Sequence, residues 1–124
     1  VKEELKVVDS YIHLIKQRYQ ENFNAEIKIS DGILERRIPI LALQVLLENA
    51  IKHNEISAKK PLQVELHDEN DWIIVKNNLQ ERTGNIESTN TGLKNLNTRT
   101  KLRMNKEIII SKNDSHFVVK IPTV

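Results

Sequence analysis

The sequence predicts an α+β fold: a two-layer sandwich with a mixed, mainly antiparallel sheet and about three helices on one face. Three observations carry that expectation. Apolar residues recur at helical spacing in three separate stretches, five shorter stretches have strand length, and four of those five fall into two hairpins. The order is helix, strand, helix, hairpin, long loop, helix, hairpin. Hairpins impose antiparallel pairing, and helices gathered over one face give two layers.

From Lys2 to about Glu21, Leu5, Val8, Ile12, Ile15 and Tyr19 repeat at alternating spacings of three and four. A second seam runs through Val7, Tyr11 and Leu14, so the first helix has a broad apolar face suited to core packing. Asn22 to Asn24 breaks the pattern, Ala25 to Ile29 alternates like a short strand, and Ser30-Asp31-Gly32 reads as a turn. Pro39 suits the first turn of a second helix running to about His53. Asn54 to Pro61 is polar and ends in proline, hence a loop.

Gln63 to His67 and Trp72 to Asn77 form a hairpin around Asp68-Glu69-Asn70-Asp71. Leu79 to Thr91 is polar and without period, and a loop of that length inside a small domain is usually functional. Gly92 to Met104 is a third helix. Glu107 to Ser111 and His116 to Ile121 close the chain as a hairpin around Lys112-Asn113-Asp114-Ser115.

A chain of 124 residues has room for a single domain, spanning 1–124, with one modest core. Nineteen basic and 17 acidic residues nearly cancel, leaving +2, which argues against a nucleic-acid partner held by a broad basic surface. There is no cysteine, which excludes disulfides and thiolate metal sites. No apolar run approaches the roughly 18 to 20 residues that span a bilayer, so no direct membrane insertion is expected. The first residues already read as helix, the expectation for a piece of a longer protein with a neighbour upstream.

The second helix carries the chemistry. Projected at about 100° per residue, Leu43, Leu46, Leu47, Ala50 and Ile51 share one arc, and Gln44, Glu48, Asn49, Lys52 and His53 fall in the opposite half. From spacing alone this is a solvated face with Glu48 and Lys52 as an i,i+4 pair. The four histidines are scattered without ligand spacing, which speaks against zinc, and no serine sits in a nucleophile elbow.

The literal string says more. Leu46-Leu47-Glu48-Asn49-Ala50-Ile51-Lys52-His53-Asn54 resembles the N-box of the GHKL (Bergerat) ATPases, in the version found in LytS-type sensor histidine kinases. The run Ile38-Pro39-Ile40-Leu41-Ala42-Leu43-Gln44 resembles that family's entry into the helix. Val75-Lys76-Asn77-Asn78-Leu79 stands where the adenine box belongs, and Thr91-Gly92-Leu93-Lys94-Asn95-Leu96 resembles the glycine box after the nucleotide lid. Phe117 to Pro122 is similar to the terminal strand, so the resemblance covers nearly the whole chain in order.

The resemblance implies ATP and Mg2+ as cofactors. Asn49 would give the metal one oxygen, since magnesium takes few protein ligands beside the phosphates. Glu48 would be the catalytic general base. Lys52 and His53 would lie towards the phosphates, Asn77 would contact adenine, and Gly92 and Leu93 would offer backbone at a helix start suited to an anion. The implied reaction passes the γ-phosphoryl of Mg-ATP to a histidine on an upstream dimerisation and phosphoacceptor domain. A response regulator would follow as the partner of the intact two-component kinase. The implied location is cytoplasmic, as the soluble end of an inner-membrane sensor.

Three positions depart from the pattern. Asn77 stands where most of the wider superfamily has an aspartate, and Leu79 stands in place of its first glycine. An amide oxygen still accepts a bond from the adenine amino group, so recognition is expected to persist with weaker affinity. Asn90 replaces a frequent glycine, and asparagine tolerates left-handed backbone. These departures motivate the alternative, a non-catalytic nucleotide-binding interaction module in signalling. The Pro-His-Phe acceptor segment of the family is absent, so this piece is expected to bind ATP without labelling itself.

Overall fold

Helical spacing of apolar residues gives α1 (Lys2–Tyr19), which carries Val8 and Ile12 into the core. The computed structural model describes residues 1–80 and 91–124. After α1 the chain forms β1 (Phe23–Lys28), α2 (Ala42–His53), β2 (Leu62–Glu69), β3 (Trp72–Asn78), α3 (Thr91–Met104), β4 (Ile109–Lys112) and β5 (His116–Pro122). The sheet order is β1-β2-β3-β5-β4; β1 and β2 are parallel and the remaining neighbours antiparallel. This is the mixed, mainly antiparallel sheet that the hairpins implied.

Strand alternation separates two faces. Leu62, Val64, Leu66, Ile73, Val75, Val119 and Ile121 join one core with Leu43, Leu46 and Leu47 of α2 and Leu93 and Leu96 of α3. The intervening residues Gln63, Glu65, His67 and Lys76 take the other face, so among the described residues the helices cover one side. Glu65 and His67 pair across that outer face, with Oε1 3.2 Å from Nδ1.

Several boundaries differ from the sequence reading, each for a visible reason. The first strand starts at Phe23 and not Ala25, because Phe23 is fully buried and lies opposite Leu62. The β2–β3 turn is two residues, Asn70 and Asp71, with φ of 50° and 68°; this is the left-handed pair that matches strand twist. The second helix starts at Ala42, three residues beyond Pro39, whose carbonyl accepts a bond from Ala42 N–H at 3.1 Å. Leu41 caps it in the left-handed region at φ 61°, a conformation that costs a residue with a Cβ about 1–2 kcal/mol. Two contacts hold that turn: Leu41 N–H donates to Glu4 Oε2 at 3.1 Å, and Arg99 Nη1 donates to the Ile40 carbonyl at 2.7 Å.

The approach to α2 is also tied to the end of the chain. Arg36 donates to Thr123 Oγ1 at 2.6 Å and to its carbonyl at 3.0 Å, while Arg37 and Val124 exchange backbone bonds. Residues 81–90, which include Asn90, lie outside the described residues, so the departure noted at Asn90 has no structural counterpart here.

Candidate functional site

Successive residues of α2 point about 100° apart, so Glu48 and Asn49 face different neighbours. Glu48 lies on the flank next to α1. Its Oε1 accepts a bond from Gln44 Nε2 at 2.9 Å, one turn earlier. Burial, and then the Glu48 charge, push the Tyr11 phenol on α1 above its ordinary pKa, which places that carboxylate near the ring.

Asn49 lies on the opposite flank. It is one turn beyond Val45, whose Cγ1 is 3.7 Å from where a Cβ on Gly92 would stand. The half-buried Asn49 amide therefore projects on the side where α3 begins. Lys52 is exposed and His53 half-buried in the last turn of α2, where cations complement the helix dipole. The shared polar face of the sequence reading thus divides into an α1 flank with Glu48 and an α3 flank with Asn49.

The opposite wall comes from the end of β3. Asn77 is 3% exposed and lies on the helix-facing side with Ile73 and Val75. Its Nδ2 donates to the Asn78 carbonyl at 2.8 Å, and among the described residues its Oδ1 accepts no hydrogen bond. The neighbouring Asn78 is a clamp for the sheet: its Oδ1 accepts from Gln63 N–H at 2.7 Å and its Nδ2 donates to the Pro61 carbonyl at 3.0 Å.

Gly92 is exposed in the first turn of α3, where backbone N–H groups have no intrahelical partner. A Cβ there would make only ordinary contact with Val45, so packing does not demand a glycine. Leu93, expected to offer its backbone, follows in the same turn. Its side chain is buried in the core, so only its backbone can face a ligand.

One joint was missed by the sequence reading. Asn54, 3% exposed and just past α2, donates from Nδ2 to the Ala50 carbonyl at 2.8 Å and accepts at Oδ1 from Gln80 N–H at 2.7 Å. Glu55 N–H donates to the Gln80 carbonyl at 2.8 Å, and Gln80 Nε2 reaches the Glu55, Lys60 and Pro61 carbonyls. These bonds lock the end of α2 to the exit of β3, fixing Asn49 and Asn77 relative to one another. The only hint in the sequence was an asparagine directly after the helix.

No family model matches the chain. It is 40% identical over 53 residues to the sensor protein LytS of Staphylococcus saprophyticus, a match covering 43% of this chain and 9% of that protein. To the sensor protein LytS of Enterococcus faecalis it is 33% identical over 64 residues, covering 52% and 11%. The chain thus spans only about a tenth of the length of the curated relatives it matches. Among solved structures, the cytoplasmic segment of histidine kinase QseC aligns with a TM-score of 0.63 at 16% identity, over 97% of this chain and 72% of that one. The nucleotide-free catalytic domain of histidine kinase ThkA aligns at 0.57 and 13% identity, over 96% and 92%. The fold is the one these histidine kinase structures share, and the resemblance to LytS-type kinases read from the motifs is met in sequence over about half of this chain.

Proposed function

We propose that this chain, built on the fold of histidine kinase catalytic domains, binds Mg-ATP between the α3 flank of α2 and the end of β3. From there it donates the γ-phosphoryl to a histidine on an upstream domain of its parent sensor kinase. The observation that carries the proposal is the convergence of Asn49, the buried Asn77 amide and the exposed start of α3 on one side of the sheet, braced by the Asn54–Gln80 joint. Adenine would meet the Asn77 Oδ1, and phosphates would meet the free amides of the α3 first turn, where Gly92 lets an anion come close.

The residues present fit a magnesium ion. Among the described residues no group of three or more His, Asp or Glu could cage a metal. Asn49 offers a single neutral oxygen, and Mg2+ is content with one or two protein ligands when phosphates and water supply the rest. When bound, the metal would neutralise phosphate charge. Lys52, at the crest between the two flanks, would add positive charge, and His53 would face the same side as Asn49. Glu48 stands on the α1 flank, away from the adenine end, and is suited to act on an acceptor histidine arriving from outside.

The upstream phosphoacceptor domain and a response regulator are then the partners, and the chain works on the cytoplasmic side of a membrane sensor. Among the described residues no helix is long and apolar enough to cross a membrane. The test is phosphotransfer in the parent protein: label from the γ-phosphate of ATP should appear on histidine and vanish in Asn49→Ala. A parent protein that binds Mg-ATP yet never labels any histidine would replace this reading with the second one. That second reading, a nucleotide-binding interaction module, is favoured among the described residues by the neutral amide of Asn77 where the wider superfamily carries a carboxylate.

A further inference from the structure

The seam Val7, Tyr11 and Leu14 is left uncovered by the fold. Val8 and Ile12 point α1 into the core, yet Val7 is 41% and Leu14 61% exposed, with Tyr11 half-buried between them. Together with Glu3 and Arg18 these residues occupy an arc of about 80° on the helix. The spacing from Val7 to Arg18 is four, three, four, the pattern of a helix–helix seam.

Charge along α1 specifies the occupant. The first turn is acidic, with Glu3 and Glu4, and the last turn basic, with Lys16 and Arg18. A two-fold axis crossing the helix between Ser10 and Tyr11 sets each Val7 opposite Leu14 of the other copy. The same operation sets each Glu3 opposite Arg18 of the other copy, twice over. Arg18 is steadied at that end by stacking on Tyr19, 5.1 Å from the ring centroid. A parallel pairing would instead bring like charges together. We infer that α1 is the contact surface for a second copy of this chain, paired antiparallel through Val7, Tyr11 and Leu14 with Glu3–Arg18 pairs at both ends. Such an interface is isologous and therefore closes as a dimer. One helix face is small, so the association is weak and concentration-dependent.

Sedimentation velocity on the 124-residue chain over a broad concentration series tests this. The average mass should rise from 14.4 kDa towards twice that value. Leu14→Glu should weaken the dimer by about tenfold or more, from apolar burial lost on both copies. Leu14 is exposed, so circular dichroism and melting should be unchanged. Glu3→Arg or Arg18→Glu alone should also weaken it, and the double variant Glu3→Arg/Arg18→Glu should restore it. A chain monomeric at every concentration, a dimer indifferent to Leu14→Glu, or a double variant no better than the singles would each overturn the inference.

Discussion

The two flanks of α2 carry neighbouring residues in different surroundings. On the α1 flank, Glu48 is exposed, bonded among the described residues to Gln44 one turn away, and near the Tyr11 phenol. On the α3 flank, Asn49 is half-buried, and the surrounding elements are cross-tied by bonds that span far more sequence, such as Asn54 to Gln80. A ligand that must be held in fixed geometry needs the braced flank, whereas a group that meets a mobile partner belongs on the open one. About 100° of helix rotation thus separates the proposed binding wall from the proposed reacting wall.

The largest effect on this contrast should come from beneath both flanks. Leu47 is fully buried under α2, and Leu47→Ala should destabilise the chain by about 2–5 kcal/mol, degrading both walls together. Urea unfolding followed by circular dichroism measures it. Asn54→Ala should be smaller, about 1–3 kcal/mol, because it leaves the Gln80 N–H without its side-chain acceptor. Its signature is selective: Mg-ATP affinity should fall while the Tyr11 titration stays put.

That titration probes the other flank. Burial and the Glu48 charge both disfavour the Tyr11 phenolate, so Glu48→Gln should move its pKa down, part of the way to the ordinary value. Ultraviolet difference titration resolves this, since Tyr19 is the only other tyrosine. Asn49→Ala should leave the curve unchanged; a shift there as large as in Glu48→Gln would erase the distinction between flanks.

The smallest effect is remote from both walls. Asp68 accepts from Ser30 N–H at 2.7 Å and from its Oγ at 2.6 Å, and these bonds hold its carboxyl below the usual carboxylate range. A carboxylate with a depressed folded pKa stabilises the fold fully above its unfolded pKa, about 4, and that contribution is lost as pH falls through the lower folded value. Melting temperatures of the wild type and Asp68→Asn should therefore differ near neutrality and converge in acid. Mg-ATP binding should be the same in both.

Much of this was legible in the sequence because its signals were local. Hairpin alternation gave β2, β3 and β5 to within two residues at each end, and the period of α1 gave its length, but the Val7, Tyr11 and Leu14 seam read as core-packing leaves Val7 and Leu14 exposed. The projection of α2 put Glu48, Asn49, Lys52 and His53 opposite the core, but it carried no information about which neighbour stood on which side. That depends on α3 meeting Val45 and α1 meeting Glu48, contacts made only once the sheet orders the helices. The start of α2 was misplaced because Leu41 adopts left-handed backbone under constraint from Glu4 and Arg99, far away in sequence. The Asn54–Gln80 joint was invisible for the same reason, as its partners are 26 residues apart. Leu93 was read for its backbone alone, and the place of its side chain in the core was not foreseen.

The most direct test of the central claim, that nucleotide lies on the Asn49 flank, is calorimetric titration of Mg-ATP into the wild type, Asn49→Ala and Glu48→Gln. Magnesium-dependent binding is expected in the wild type, with a loss of about tenfold or more in Asn49→Ala. Glu48→Gln should keep its affinity within about twofold. Undiminished binding by Asn49→Ala, or binding abolished by Glu48→Gln alone, would contradict the claim.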